Sequence, residues 1–228
     1  MLIDQYLSRS GIQKQDLPSD FSTLFAGYQS QLNNLAQASP ENIKWQYQVP
    51  ELGEGGSCSI FDQLAAEPYD LSVILGGKTA ANVQMLGQLQ SIVDFYQQQS
   101  ASQWFGVYQK RQNQQGDMVL VKLAYFGAAS RAEFPLTPEF AAMSNNSTVG
   151  MTGKARIIND VGVYLAAGGE YYTCDPKVQS EACLPLLADD GSVIGIIDSE
   201  AFSKNMFVEK ELALLLSVAT VLAVILQS

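Results

Sequence analysis

Ala182-Cys-Leu-Pro-Leu-Leu-Ala-Asp-Asp-Gly-Ser-Val-Ile-Gly-Ile-Ile-Asp198 is two short apolar runs broken by the turn Asp189-Asp-Gly191. Runs of this length on either side of a Gly-containing turn predict a β-hairpin. Outward from it, a period of two recurs in Trp104-Phe-Gly-Val-Tyr108 and in 118–126, joined by the polar turn Asn113-Gln-Gln-Gly116, and a further strand is predicted over 155–158. Helical spacing flanks these strands. Val83, Leu86, Leu89, Ile92, Val93 and Tyr96 form one apolar face of a helix from Thr79 to about Gln99, and a closing helix runs from about Glu209 to Leu226. Helix, strands, loops, strands, helix predicts an α+β domain: an antiparallel sheet with its long terminal helices on one face.

Residues 1–78 read as a helical extension and linker, and residues 79–228 as the main domain. Ser19-Asp20 is placed to cap a helix carrying Phe21, Leu24, Phe25, Tyr28, Leu32 and Leu35, which Pro40 would end. Residues 40–78 hold Pro50, Gly53, Gly55-Gly56 and Gly76-Gly77, the punctuation of a linker with short extended pieces. Twenty glutamines precede residue 116 and two follow it, which predicts solvated helices and linkers first and a compact apolar fold second.

Composition removes several functions. With no histidine among 228 residues, Ser-His-Asp and Cys-His catalysis and imidazole-ligated metals are excluded. Twenty-three acidic against 13 basic side chains give a formal charge of −10, which disfavours nucleic acid as a partner. Three oddly spaced cysteines make no disulfide framework, and the N-terminus has no signal-peptide pattern, so a reduced cytoplasm is expected. The apolar run 212–226 is shorter than the roughly 18–20 residues a bilayer needs, which predicts a helix buried in a core or dimer interface and no membrane partner. No Cys/Asp/Glu cluster has metal-ligand spacing. Gly150-Met-Thr-Gly153 lacks both nucleotide-loop patterns.

Five motifs carry a resemblance over roughly residues 79–226 to GAF domains, and more narrowly to the free methionine-R-sulfoxide reductases. Trp104-Phe-Gly-Val-Tyr108 resembles the family's W-A-G-F-Y, and Val149-Gly-Met-Thr-Gly-Lys-Ala155 sits where it has R-G-V-C-G-T-A. Cys174-Asp175 with Ser180-Glu181 keeps the step of A-C-D-A-x-S-x-S-E-I; Gly195-Ile-Ile-Asp198-Ser-Glu200 is similar to G-V-L-D-I-D. Phe207-Val-Glu-Lys-Glu-Leu212 resembles the start of its last helix, F-D-E-x-D-x-x-x-L. The Cys-to-Glu step followed by Asp-x-Glu is the most specific of these. Residues 1–70 have no counterpart.

The resemblance implies a thiol-dependent oxidoreductase without a bound cofactor. Cys174 would attack the sulfoxide sulfur and become a sulfenic acid. Glu181, Asp198 and Glu200 would hold a free amino acid's ammonium and supply a proton, since crowded carboxylates raise one another's pKa. Trp104 and Tyr108, four apart on a strand, would wall the methyl-sulfur end. The family's two resolving cysteines appear here as Thr152 and Ala142, and its second aspartate as Glu200. Resolution would then fall to Cys183, on the same strand face as Glu181, to Cys58 in Gly55-Gly-Ser-Cys58, or to thioredoxin or a small thiol. The alternative is a non-catalytic GAF module that binds a small molecule for signalling or dimerisation. A homodimer is expected, because the last helix is apolar nearly all round.

Overall fold

The computed structural model describes residues 1–36, 43–53, 59–171 and 175–227. The N-terminal part supplies helices α1 (Ile3–Ser10) and α2 (Phe21–Leu35), then short strands β1 (Gln46–Tyr47), β2 (Pro50–Leu52), β3 (Ser59–Leu64) and β4 (Tyr69–Asp70), and the turn α3 (Leu71–Ile74). There follow α4 (Ala80–Gln99), β5 (Trp104–Gln112), β6 (Met118–Phe126), β7 (Glu133–Pro135), α5 (Pro138–Ala141) and α6 (Asn145–Thr152). The chain closes through β8 (Arg156–Ile158), α7 (Val161–Ala166), β9 (Ser180–Leu187), β10 (Val193–Ala201) and α8 (Glu209–Ile225).

One six-stranded antiparallel sheet, ordered β7-β6-β5-β10-β9-β8, organises the molecule. The predicted strands are present, as is the hairpin of β9 and β10, and β10 continues past Asp198 to Ala201. Thr79 caps α4 by accepting from the Asn82 amide. The expected cap on α2 differs: Asp20 occupies the N-cap position without a side-chain bond, and the helix ends at Leu35. Pro40 lies outside the described residues. Pro185 fits within β9 because β8 stops short of it; its carbonyl instead accepts the Tyr6 hydroxyl of α1 at 2.8 Å.

Period-two alternation divides the sheet into two faces. Phe105 and Val107, Ala182, Leu184 and Leu186, and Ile197 enter the large core shared with α2, α4 and α8. Trp104, Tyr108, Leu120, Cys183 and Ile196 face the other way, into a smaller cluster closed by Phe134, Phe140 and Val149.

The N-terminal region is part of the main core, where solvated helices were expected. Tyr6, Leu7, Tyr28 and Leu32 are buried with Leu212–Leu216 of α8. Gln29 on α2 donates to the Ser217 carbonyl at 3.0 Å and to Thr220 Oγ1 at 2.6 Å. The apolar surplus of α8, which motivated a dimer, is thus covered within the chain by α2, α4 and the sheet; Val224 is its one large apolar side chain left exposed. Among the described residues no helix is long and apolar enough to cross a membrane. Leu32→Ala is expected to cost about 2–5 kcal/mol, because the side chain is fully buried between helices and its cavity cannot collapse freely. Urea unfolding checks this, and a loss under about 0.5 kcal/mol would separate α2 from the cooperative core.

Candidate active site

Strand register brings three carboxylates onto one wall. Glu200 of β10 stands opposite both Glu181 of β9 and Trp104 of β5, while Asp198 stands opposite Cys183 and Gly106. Residues 181, 183, 198 and 200 therefore share the face that carries Trp104 and Tyr108. Glu181, Asp198, Glu200, Trp104 and Tyr108 all line one cavity of about 360 Å³. Cys183 is fully buried in the cluster beneath it. Cys174 and Cys58 lie outside the described residues, but Asp175, next after Cys174, lines the cavity.

Like charges placed directly across a sheet repel, and burial removes the water that would screen them. Burial first, then Glu181 and Glu200, pushes the Asp198 carboxyl well above its ordinary range. Glu200 is pushed up to about 8, by burial and then by Glu181 and Asp175, against the opposing pull of Lys122. Burial also raises Glu181, opposed by Tyr171, Asn145 and Arg156. The Cys183 thiol is driven up by burial and by Asp198 and Glu181, which disfavours a thiolate there.

Two asparagines absent from the sequence reading complete this wall. Asn145 Nδ2 donates to Glu181 Oε1 and Asn146 Nδ2 to Asp198 Oδ2, each at 3.0 Å. They open α6, whose N-cap Ser144 accepts from the Ser147 amide. The stretch Gly150-Met-Thr-Gly153 is the end of this helix, with Gly153 as its left-handed C-cap. Ser144 ahead of Asn-Asn-Ser was a legible helix start, but not a pointer to two carboxylates on other strands. Each amide gives its NH2 to a carboxylate, and among the described residues the amide oxygens Asn145 Oδ1 and Asn146 Oδ1 and the carboxylate oxygen Asp198 Oδ1 are buried without a hydrogen-bond partner. Tyr171 Oη lies beside Glu181 and holds its carboxyl down against the effect of burial. Buried acceptors left open are costly, and a donor-rich ligand would satisfy them.

Beside the carboxylates, the neighbouring strand β5 makes the wall aromatic. Trp104, 6% exposed, donates from Nε1 to the Ala128 carbonyl at 3.0 Å and lies near Tyr108, with ring centroids 6.3 Å apart. Behind it, Lys122 is fully buried, its Nζ bonded to Ser130 O and Oγ at 2.7 and 2.6 Å and set among the rings of Tyr47, Trp104 and Tyr125. Two glycines make room for the indole. A Cβ on Gly106 would lie 2.3 Å from Trp104 Cη2, and one on Gly127, at φ +107°, would lie 2.6 Å from its Cδ1. Gly106→Ala is therefore expected to push the indole from its seat and to cost about 1–3 kcal/mol. A blue-shift or red-shift in Trp104 emission alongside a lowered Tm checks this; an unchanged spectrum and Tm would contradict it.

Thr152 and Ala142, which stand at the reductases' resolving positions, are exposed and do not line the cavity; Thr152 Oγ1 bonds the Thr148 carbonyl. Among the described residues no group of three His, Cys, Asp or Glu side chains is placed to hold a metal ion.

A curled antiparallel sheet with its long helices on one face and a ligand-sized cavity on the other defines an α+β module. The GAF domain family model matches residues 85–226, more than half the chain, and the protein belongs to that family. No curated protein sequence matches it. Among solved structures it is similar to the type II free methionine-R-sulfoxide reductase of Thermoplasma acidophilum, at 21% identity and TM-score 0.54, over 64% of this chain and 95% of that one. A protein described as a GAF sensor from Burkholderia vietnamiensis is similar at 16% identity and TM-score 0.56, over 89% of this chain and 93% of that one. The free methionine-R-sulfoxide reductase of Neisseria meningitidis, solved with its substrate, is similar at 20% identity and TM-score 0.52, over 63% of this chain and 78% of that one. At these identities the likeness shows the fold, which reductases and sensors share.

Proposed function

We propose that the protein reduces free methionine-R-sulfoxide to methionine at the expense of thiols, with Cys174 as nucleophile. One observation carries the reading: Glu181, Asp198 and Glu200 line one cavity together with Trp104 and Tyr108 of the neighbouring strand. An ammonium has three donors, and the open oxygens of Asn145, Asn146 and Asp198 offer three acceptors beside negative charge. A carboxyl with a raised pKa, Glu200 above all, still carries a proton at neutral pH and can give it to the sulfoxide oxygen as the thiolate attacks sulfur. The S=O bond breaks, oxygen passes to the cysteine as a sulfenic acid, and methionine leaves. A second thiol then displaces water to give a disulfide, and a third releases Cys174 as the thiol. Cys183, buried and with its pKa raised, is poorly suited to the second role. Cys58, thioredoxin or a small thiol takes it.

Turnover of free methionine-R-sulfoxide by the wild-type chain in excess dithiothreitol tests the reading, since dithiothreitol replaces any resolving cysteine. Methionine formation supports it, and its absence at millimolar substrate overturns it. A second reading, a ligand-binding sensor module, is favoured by Thr152 and Ala142 standing away from the cavity. Its signature in the same experiment is calorimetric binding without turnover.

A further inference from the structure

We propose that the β2–β3 hairpin of the N-terminal region is the roof of this cavity and selects what enters it. Pro50 on β2 and Ile60, Gln63 and Leu64 on β3 line the same cavity as Trp104, Asp198 and Glu200. All four precede residue 85, where the match to the GAF family model begins.

The hairpin is held at its base. Ala65 N donates to the Val49 carbonyl at 2.9 Å, and Pro50 pairs with Leu64. Just outside that base, Tyr47 donates to the Lys122 carbonyl at 2.7 Å and stacks on Tyr69, which donates to Glu133 Oε1 at 2.5 Å. Tyr47 also belongs to the ring set around Lys122 Nζ that includes Trp104. The base of the roof is thereby tied to the aromatic wall it covers.

Beyond its base the hairpin forms a two-stranded sheet of its own, joined to no strand of the main sheet. An isolated two-stranded ribbon is marginal in water, so what it touches decides its worth. Leu64 is 55% exposed in a position that lines the cavity, an apolar surface that a bound ligand would partly cover. Gln63 puts an amide on the roof, whereas the facing wall is acidic. A free amino acid bound by its ammonium on the acidic wall has a carboxylate left over, and the Gln63 NH2 is a neutral donor suited to it. This assignment to a carboxylate rests on the proposed reaction; the roofing itself does not.

The test replaces residues 51–63 by Asn-Gly, a two-residue turn that the paired Pro50 and Leu64 can accept. It is made in a Trp45→Phe background so that Trp104 is the one emitting indole. Acrylamide quenching of Trp104 is expected to rise severalfold. The KM for free methionine-R-sulfoxide, in excess dithiothreitol, is expected to rise about tenfold with kcat nearly unchanged, because the apolar cover over the bound ligand is lost while the reacting groups stay. Ile60→Ala and Gln63→Ala, which preserve the hairpin, give the same directions in smaller measure and decide the matter if the excision variant does not fold. Unchanged quenching and unchanged KM in folded variants would overturn the roof. A wild-type chain without turnover would overturn the reaction while leaving the quenching arm to decide the roof.

Discussion

On the proposed reaction, Cys174→Ser is expected to abolish sulfoxide turnover, by at least about a thousandfold, while leaving the affinity for free methionine within about twofold of wild type. A serine hydroxyl is neither ionised at neutral pH nor able to take oxygen from sulfur, so the loss falls on kcat. The proposed binding groups, Glu181, Asp198, Asn145 and Asn146, line the cavity and are left unsubstituted. Thiol counting after one equivalent of substrate gives a second readout: the wild type loses a titratable thiol as Cys174 is oxidised, and the variant loses none. Residual turnover above about one per cent of wild type would remove Cys174 from the reaction.

Glu200→Gln is expected to stabilise the ligand-free protein at alkaline pH and to cost about a hundredfold or more in turnover. The sign follows from linkage. The Glu200 carboxyl is raised from 4.5 to about 8 in the folded chain, so the folded state keeps a proton that the unfolded state has already released. That stability is fully present below pH 4.5 and is lost as pH rises through about 8. The wild-type Tm should therefore fall between pH 5 and 8, and Asp198 and Glu181, shifted in the same direction, deepen the fall. Removing one charge flattens the slope. Stability and activity thus move in opposite directions, which general damage to the fold does not produce. Thermal melts at several pH values check this: a variant as pH-dependent as the wild type would show that the proton resides elsewhere.

The sheet and its long helices were legible because their signals are local. Val193–Ile197 and Ala182–Leu187 flank a turn that sets their pairing, and the apolar face of 83–96 repeats at helical spacing. Part of the site was legible for the same reason. Alternation along β10 puts Asp198 and Glu200 on one side; Glu181 stands opposite Glu200 only because a register shift between Val193 and Gly195 moves the pairing by one residue, which the turn alone does not announce. Trp104 and Tyr108 follow by the same alternation on β5.

What remained depended on contacts between elements far apart in sequence. Asn145 and Asn146 carry no sign of their carboxylates, which lie 36 and 52 residues further on. Lys122 sits in a strand that reads as ordinary, and its ring set draws Tyr47 from the supposed linker. The glutamine-rich N-terminal region read as solvated, yet α2 covers α8 and the β2–β3 hairpin lines the cavity. Composition measures how polar a segment is on average, whereas burial depends on the few residues, such as Leu32 and Tyr47, that face the core. The chain by itself determined the strands, the helices and the face on which the acids stand. Packing decided which of those acids share a cavity and what closes it, because burial and like-charge crowding exist only once distant segments have met.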